Sequence, residues 1–228
     1  MSSPTTSRIV CFDLGGVLVR ICRSWEEACG YAELPYRNPD WMASERARAE
    51  RKRVVDRHQR GELDSQAYYQ ALSSALESAY SEAEVERIHE VWSRAEYPGV
   101  RELVEDLNRT PGVITACLSN TNAGHWRSLV NEDGAGTYPA VLALEKRLAS
   151  HLLGCLKPEP RIYALAHAHF FGAAGGPTEN IVFFDDLPEN VRAAREAGWT
   201  AFEIDPHGDT AAQMRAHLQH AGVLPPAR

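Results

Sequence analysis

Short apolar runs recur along the chain, and their positions relative to amphipathic segments indicate the fold. Runs without a polar face are typical of parallel strands that are covered on both sides. They predict strands at residues 9–12, 113–118, 181–184 and 200–204. Helical periodicity predicts the segments between and after them, at residues 100–107, 161–170, 190–197 and 210–221. This alternation of strands and helices is typical of an α/β fold with a parallel sheet.

The stretch between the first two predicted strands has a different character, because it contains no convincing strand. Its periodicity predicts helices at residues 25–34, 41–60, 65–77 and 81–93. Ser81 with Glu84 three residues later has the spacing of a capping box, and Ser65 or Asp64 suits an N-cap. The stretch therefore indicates an all-helical insertion.

The predicted fold class is α/β, with a Rossmann-like doubly wound parallel sheet as the core. We expect this core to be formed by residues 1–20 and 96–228. A small α-helical cap, residues 21–95, is predicted as an insertion after the first strand.

Polar side chains follow the predicted strands at the points where the strands end. In a parallel sheet these ends meet at one edge, where open α/β folds bind their ligands. Four segments contribute an acid, a hydroxyl with an amide, a lysine and an acid pair: Asp13, Ser119 with Asn120, Lys157, and Asp185 with Asp186. An acid before two glycines can also simply cap a turn, and an acid pair can stabilise a helix N-terminus. Convergence of all four segments on one edge favours a functional site.

These side chains suit an attack on a phosphate monoester. A phosphoryl dianion repels a carboxylate nucleophile unless a cation neutralises it, and Mg²⁺ does so with oxygen ligands. Asp13 is the predicted nucleophile and a metal ligand, Asp186 is the second carboxylate, and Asp185 lies on or beside the metal. Lys157 would offset the charge between Asp13 and the phosphoryl group. Two side chains would donate hydrogen bonds to the phosphoryl oxygens, Ser119 and Asn120.

Four motifs resemble those of the haloacid dehalogenase-like hydrolases, in the family's order and over essentially the whole chain. They are FDLGGVL at 12–18, LSNTN at 118–122, Lys157-Pro158, and FFDD at 183–186 with Asn190. The helical insertion resembles the small cap of the family's subclass I. The resemblance implies a covalent aspartyl-phosphate on Asp13 and a Mg²⁺ ion. It also implies the metal ligands and one position that contacts substrate: Asp13, the backbone carbonyl of Gly15, Asp185 and Asp186 for the metal, and Gly16 for the substrate.

Shorter phrases are similar to one branch of that family, the sugar-phosphate phosphatases such as α-D-glucose-1-phosphate phosphatase. The phosphatase domain of soluble epoxide hydrolases is similar too. The phrases are RGEL at 60–63, His125-Trp126 after LSNTN, and KPEPRIY at 157–163. The resemblance implies a small phosphorylated metabolite as the substrate.

One position departs from the pattern of phosphatases in this family. They usually carry a second aspartate two residues after the nucleophile, as the acid that protonates the leaving alcohol, and here that residue is Gly15. A positioned proton donor contributes typically about 10²–10⁴-fold. Without it, esters with good leaving groups are expected to react best. A sugar 1-phosphate is one such ester.

Composition narrows the possible partners and the compartment. The formal charge is −7 and the pI is about 5.7, which argues against nonspecific nucleic-acid binding. No apolar run approaches the roughly 18–20 residues that a membrane helix needs, so no membrane partner is expected. Residues 1–7 are polar, which disfavours a secretory signal. Five scattered cysteines without a CxxC spacing favour the reducing cytoplasm. The oligomeric state has no signature in the sequence.

Two other functions remain open. A 2-haloacid dehalogenase uses the same aspartate without a metal, and the acid pair 185–186 would then be unnecessary. A catalytically silent binding or regulatory protein could have kept the fold after the loss of an acid at Gly15. A phosphomutase is less consistent with Gly15, because the transfer of phosphate between two hydroxyl groups depends strongly on general acid–base catalysis.

The cap is the part whose sequence is hardest to interpret. Residues 46–60 are dense in charges of both signs, which predicts a solvated helical face. Trp25 and Trp92 are predicted to pack inside the cap. Arg20 and Arg23 lie where the core passes into the cap and are candidates for contact with a substrate's polar end. His125 is predicted to have a surface or structural role.

Overall fold

The computed structural model describes residues 7–132, 134, 137–172 and 175–225. The first six residues, on which the expectation about a secretory signal rests, and the last three lie outside this range.

Seven strands are present among the described residues, in two sheets. They are β1 (Arg8–Phe12), β2 (Val19–Ile21), β3 (Ser93–Glu96), β4 (Val113–Ser119), β5 (Lys146–Ala149), β6 (Ile181–Asp185) and β7 (Thr200–Glu203). Five of them form one sheet in the order β5-β4-β1-β6-β7, and all neighbours are parallel. The chain therefore builds the sheet outward from β1 in one direction and then in the other, as a doubly wound fold does.

Eleven α-helices connect these strands within the described residues. They are α1 (Trp25–Tyr31), α2 (Glu45–Gln59), α3 (Ser65–Ala75), α4 (Glu82–Glu90), α5 (Val100–Asn108), α6 (Ala123–Leu129), α7 (Pro139–Leu142), α8 (Ser150–Leu153), α9 (Pro160–Phe171), α10 (Pro188–Glu196) and α11 (Thr210–His220). Short 3-10 helices add Asp40–Ala43 and Thr178–Asn180.

Both faces of the large sheet are buried, which explains why its central strands are apolar throughout. Val10 and Phe12 of β1 pack into the cluster that holds α5 and α11, whereas Ile9 and Cys11 pack into the cluster that holds α9 and α10. None of these four side chains is exposed to solvent. The predicted Rossmann-like fold class is confirmed.

A two-stranded antiparallel ribbon of β2 and β3 joins the helical insertion to the sheet. The prediction that residues 21–95 contain no strand was wrong at both ends, because each strand is only three or four residues long and carries a charged residue. Helices α1–α4 then pack around an apolar cluster of their own, which includes Leu72, Tyr80 and Ile88. Separate cores of this kind are expected for a core and an inserted cap.

Local signals in the cap produced the expected helix starts. The capping box of Ser81 and Glu84 is present, and Asp64, rather than Ser65, accepts a hydrogen bond from Ala67 N–H at the start of α3. The predicted helix 81–93 ends at Glu90, because the chain must leave it to form β3. In the core, β5 and the short helices α6–α8 were not predicted.

No helix among the described residues has the length and apolar character needed to cross a membrane. All five cysteines are free and buried, and Cys11 and Cys117 lie inside β1 and β4.

Candidate active site

The site lies where the carboxyl ends of three adjacent strands meet. Strand β1 is flanked by β4 and β6, so the chain changes its winding direction here, and a crevice opens at such a switch point. β1 leads directly into Asp13, whose backbone N–H continues the sheet by donating to the Phe184 carbonyl over 2.8 Å. Ser119 ends β4 and Asp185 ends β6. The predicted convergence of the four segments is present.

Lys157 connects two of the carboxylates. Its Nζ lies 2.6 Å from Asp185 Oδ2 and 3.0 Å from Asp13 Oδ1, and its side chain is completely buried. Burial alone would lower the pKa of this lysine, but the two carboxylates outweigh it and hold the pKa above its usual range. Lys157 is therefore a permanent cation at the base of the site.

Asp185 is fully buried, and its own contacts occupy it almost completely. Besides Lys157, it accepts hydrogen bonds from the backbone N–H of Leu187 over 2.9 Å and from Asn190 Nδ2 over 3.0 and 3.1 Å. A carboxylate offers about four lone-pair positions, so these contacts account for nearly all of them. Asp185 is thus placed to hold Lys157 and the start of α10.

Asp186 faces the other side of the site and pairs with the beginning of the cap. Its Oδ2 accepts a hydrogen bond from Arg23 Nη1 over 2.7 Å. Gly16, with a φ of +82°, lies against both side chains, and any Cβ there would collide with the Asp186 carboxylate. Glycine is required at this position for the approach of Asp186 as well as for the backbone conformation.

Burial raises the pKa of Asp13, Asp185 and Asp186 raise it as well, and Lys157 and the Ser119 hydroxyl oppose them, so that the net pKa is about 7. Burial also raises the pKa of Asp186, with Arg23 opposing. The two cations thus only partly compensate three neighbouring carboxylates. A site with surplus negative charge at its floor is suited to a further cation.

Three carboxylates offer oxygen atoms that all lie within 4.8 Å of one another: Asp13, Asp185 and Asp186. Hard divalent cations such as Mg²⁺ take carboxylate oxygens, and usually only one or two of them. Asp13 receives Leu14 N–H and Lys157 on Oδ1, and Asp186 receives Arg23 on Oδ2. The other oxygen of each is left for such an ion, so the donor set fits Mg²⁺.

Asn120 has a role that the sequence did not reveal. Its Oδ1 accepts from the backbone N–H of Lys157, and its Nδ2 donates to the Lys157 carbonyl, both over 2.9 Å. The amide therefore fixes the lysine loop against the end of β4, and one N–H of Nδ2 remains for a phosphoryl oxygen. Ser119 is buried and lines the crevice together with Asn120 and Gly15.

A single cavity of about 470 Å³ extends from these residues to the cap. We call its two sides the core wall and the cap wall. The core wall includes Asp13, Gly15, Ser119, Asn120, Asp186 and Asn190. The cap wall includes Trp25, Arg51, Val55, His58, Tyr68, Leu72, Val85, Ile88, His89 and Trp92.

The cap wall adds to two predictions, because some residues that pack in the cap or belong to its charged helix also line the cavity. The charged stretch 46–60 is not solvated all round, because Arg51, Val55 and His58 of α2 line the cavity. Trp25 and Trp92 line it too, in addition to their packing in the cap. Spacings of four and three residues place one face of α2 against the cavity.

Several contacts hold the cap over the core. The Ser150 hydroxyl lies 2.7 Å from the Gln59 carbonyl at the end of α2, and Arg60 makes two hydrogen bonds to Glu159. Gly61 has a φ of +75°, and a Cβ there would lie 2.7 Å from a core carbonyl oxygen, that of His151. The RGEL and KPEPRIY phrases therefore meet at this joint.

His125 belongs to the same joint. Its Nδ1 faces Asn122 Nδ2 at 3.2 Å, and its Nε2 faces the His89 carbonyl oxygen at 2.8 Å. Because Nδ2 can only donate and the carbonyl only accept, His125 is neutral with its proton on Nε2. Its ring also stacks on His89 at 3.8 Å. These contacts agree with the predicted structural role, and His125 also lines the cavity.

The structure separates the two arginines at the entrance to the cap. Arg23 lines the cavity through its pair with Asp186. Arg20 instead lies over the Tyr97 ring, 5.2 Å from its centroid, and lines a different cleft. Of the two candidates for substrate contact, Arg20 is therefore not placed to meet a substrate in this cavity, because its side chain packs against Tyr97 and lines the other cleft.

Gly15 lines the cavity without a side chain, and its surroundings have adapted to that absence. A Cβ at Gly15 would lie 3.1 Å from Ile21 Cδ1, which is closer than ordinary contact. Ile21 of the ribbon therefore fills space that the side chain of an aspartate at position 15 would need.

Comparison with known proteins identifies the family. The chain is 30% identical over 129 residues to Phosphatase MT3486 of Mycobacterium tuberculosis, a match that covers 56% of this chain and 55% of that protein. Only about half of that relative's length is thus represented.

Two solved structures are similar in fold. A HAD family enzyme of Bacteroides thetaiotaomicron, solved as a magnesium complex, aligns with a TM-score of 0.70 at 18% identity, covering 92% of this chain and 99% of the other. The L-2-haloacid dehalogenase PA0810 aligns with a TM-score of 0.57 at 21% identity, covering 90% and 86%. The model of one family, described as haloacid dehalogenase-like hydrolase, matches residues 8–198. The chain belongs to the haloacid dehalogenase-like hydrolases.

Proposed function

We propose that the protein is a Mg²⁺-dependent phosphomonoester hydrolase that acts on a small phosphorylated metabolite through an aspartyl-phosphate. The observation that carries this proposal is the contact of Asp13 with Lys157 beside a second carboxylate, Asp186, that faces the same crevice. The similarity to a phosphatase of M. tuberculosis supports it. A similar fold was solved with magnesium and inorganic phosphate.

In this proposal Asp13 and Asp186 hold the metal ion, with the Gly15 carbonyl as a further ligand and Asp185 beside them. When bound, the ion neutralises the phosphoryl oxygens and lowers the repulsion that Asp13 meets. Asp185 acts mainly by positioning Lys157, because its oxygens are already occupied. The residues predicted to bind the phosphoryl group are Ser119, Asn120 and the backbone at Gly16.

The first step forms one bond and breaks one. An oxygen of Asp13 attacks phosphorus while the P–O bond to the leaving group breaks. The electron pair of the broken bond stays on the oxygen of the leaving group. Lys157 lowers the pKa of Asp13, which favours its ionised form, and balances the negative charge that collects between Asp13 and the phosphoryl group. In the second step a water oxygen attacks phosphorus while the bond between phosphorus and the Asp13 oxygen breaks. This regenerates the Asp13 carboxylate and releases inorganic phosphate, and the proton lost by the attacking water passes to solvent.

Protonation of the leaving group is where this chain differs from other phosphatases of the family. Gly15 offers no proton, so the leaving group must depart as an anion or take a proton from water. Phosphates of phenols and sugar 1-phosphates meet this condition better than ordinary alkyl phosphates. Membership of the sugar-phosphate branch remains part of the proposal.

Two other functions fit the site less well. A metal-independent dehalogenase shares the fold, but it would have no use for the carboxylate of Asp186 beside Asp13. A silent binding protein would not need to keep a buried lysine between two carboxylates, since such groups are costly to bury without a function. We further propose residues 21–95 as the cap domain, residues 1–20 and 96–228 as the core, and the cytoplasm as the compartment, because the five cysteines are free.

Phosphate release with and without Mg²⁺ tests the proposed function. The screen should include sugar 1- and 6-phosphates, phosphorylated acids, nucleotides and p-nitrophenyl phosphate, and the metal should be removed with a chelator and added back. We expect Mg²⁺-dependent release that is fastest with aryl and anomeric phosphates. Release of chloride from a 2-haloacid in the presence of chelator, without phosphatase activity, would instead identify a dehalogenase.

A further inference from the structure

The cap wall combines an apolar surface with a small polar end. Its members include a tryptophan pair, a tyrosine and four aliphatic side chains: Trp25, Trp92, Tyr68, Val55, Leu72, Val85 and Ile88. A hydroxyl group that lies against such a surface loses its hydrogen bonds to water and gains none from the protein. Binding there is therefore costly for polyhydroxylated molecules. The surface favours a flat or apolar leaving group.

Arg51 forms the polar end of this wall and lacks a carboxylate partner. Its Nη2 donates to the Met42 carbonyl over 2.9 Å, while its Nη1 is buried and has no hydrogen-bond partner among the described residues. Burial and the neighbouring Arg48 lower the pKa of this arginine, whereas Tyr36 opposes them. A buried guanidinium N–H without an acceptor is costly, so an acceptor brought by a ligand would be favourable.

The lack of a partner is specific to Arg51 rather than general on its helix. The other cations toward the end of α2 and just beyond it are in ion pairs: Lys52 with Asp56, Arg53 with Glu50, Arg57 with Glu62 and Arg60 with Glu159. Arg46 and Arg48 are exposed to solvent. Arg51 is the cation of α2 that combines a cavity-lining position with an unsatisfied N–H, within the described part of the chain.

His58 reinforces this polar end. It lies two helical turns after Arg51 on the same face of α2, and its buried Nε2 also has no partner among the described residues. Its ring is held by stacking on Tyr68 with 4.0 Å between centroids. Arg51 and His58 thus both line the cavity, and each has a buried polar atom without a partner among the described residues.

We infer that the substrate is a phosphate ester of an aromatic or similarly flat alcohol that carries a second anionic group, a carboxylate, which Arg51 binds at the far end of the cavity. This inference rests on the proposed phosphatase function and narrows its substrate class. The metal and Lys157 would hold the phosphoryl group, the cap wall would cover the ring, and His58 would assist Arg51. An aryl leaving group can also depart without a proton donor, which position 15 does not provide because it is a glycine.

A matched pair of substrates tests this assignment. 4-Carboxyphenyl phosphate and 4-carbamoylphenyl phosphate have the same shape and phenol leaving groups of similar acidity, but only the first is anionic at its far end. We expect kcat/KM of the wild-type enzyme to favour the carboxylate about tenfold to a hundredfold, as a charge-assisted hydrogen bond provides, and to favour both aryl esters over glucose 1-phosphate.

Variants of α2 separate a specific contact from general electrostatics. Arg51→Gln should abolish the preference, chiefly through KM for the carboxylate, and Arg51→Lys should keep part of it. Arg48→Gln removes the same formal charge from an exposed position and should leave the preference intact. Equal kcat/KM for the two wild-type reactions, or a preference that survives in Arg51→Gln, would overturn the inference while phosphatase activity stands.

Binding of stable analogues keeps the inference testable if no ester is hydrolysed. Calorimetry with Mg²⁺ would compare (4-carboxybenzyl)phosphonate with its carbamoyl counterpart, whose C–P bonds the proposed reaction does not cleave. Tighter binding of the carboxylate by about tenfold or more, lost in Arg51→Gln, would support the site even if catalysis failed. Equal binding would refute it, and thermal unfolding of each variant would verify that it is folded.

Discussion

Directly beneath the core wall of the cavity, Lys157 lies between Asp13 and Asp185, 3.0 and 2.6 Å away. On the cap wall, by contrast, Arg51 has no carboxylate partner and one N–H without an acceptor among the described residues. Both cations are shielded from solvent to some degree, but only the first is compensated by the protein itself. The core wall is thus organised before any ligand binds, as catalytic groups must be. On the cap wall, Arg51 and His58 each have a polar atom without a hydrogen-bond partner among the described residues, and a ligand could supply one.

The strongest test of the core wall is removal of its proposed nucleophile. Asp13→Asn keeps the shape of the side chain but replaces the attacking oxygen by an amide, so turnover of every ester should fall by at least about 10⁴-fold. Steady-state phosphate release with p-nitrophenyl phosphate measures this loss. Asp209→Asn is the matched control, because Asp209 caps α11 away from the cavity and asparagine caps equally well. Near-normal turnover in Asp13→Asn would remove Asp13 from its role.

The difference between the two walls should also appear in stability. Lys157→Met leaves two buried carboxylates without their cation, and breaking such a pair typically costs about 3–5 kcal/mol. Arg51→Met removes a cation that no carboxylate depends on, and its free energy of unfolding should change by no more than about 1 kcal/mol. Urea unfolding at pH 7.5 of both variants makes the comparison directly. Equal losses would show that the two arrangements are energetically alike.

Most residues at and directly beneath the core wall could be predicted from sequence, because they follow strands whose apolar runs are evident in the sequence. Asp13, Ser119 and Asp185 come at the ends of apolar runs, and parallel strands bring those ends together. What remained hidden was pairing over long separations. Asn120 holds the backbone of Lys157, 37 residues away, and nothing local marks such a contact.

The cap wall could not be predicted for a different physical reason. Helix α2 reads ERARAERKRVVDRHQ, so charges occur on every face and no apolar stripe shows which side is covered. Only the tertiary structure selects Arg51 and His58 as the lining positions. The ribbon of β2 and β3 was missed as well, because its strands are too short for an alternating pattern and take their pairing from each other.

An aspartate introduced at position 15 would test whether the lack of a proton donor on the core wall limits which leaving groups the cap wall can usefully bind. Gly15→Asp supplies a proton donor beside the leaving group, and Ile21→Val in the same variant makes room for the new side chain. We expect the ratio of kcat for an alkyl phosphate to kcat for p-nitrophenyl phosphate to rise at least about tenfold, within the range of general acid catalysis. Gly15→Asn with Ile21→Val is the isosteric control without a proton to give. An unchanged ratio would mean that leaving-group protonation does not limit the enzyme.

A smaller effect concerns pH, and it belongs to the cap wall. Burial, His125 and His151 lower the pKa of His58 to about 4, with Asp64 opposing them, while an imidazole in the unfolded chain titrates near about 6.5. Between about pH 4 and about pH 6.5, His58 binds a proton in the unfolded state but not in the folded state. His58 therefore costs no stability above about pH 6.5, and the free energy of unfolding decreases as the pH falls from there toward 4, by at most about 1.4 kcal/mol per pH unit for one imidazole.

Urea unfolding of the wild type and His58→Gln at several pH values between 7.5 and 4.5 measures this contribution. The variant should lose less stability on acidification than the wild type. His169→Gln, which removes an exposed imidazole from α9, is the matched control and should follow the wild-type curve. Ligand binding at Arg51 provides a second test of the pKa of His58. A carboxylate bound to Arg51 would favour the charged imidazole of His58, two helical turns away. Saturation with (4-carboxybenzyl)phosphonate should therefore reduce the acid sensitivity of the wild type and leave that of His58→Gln unchanged, and equal effects on both proteins would separate His58 from the ligand site.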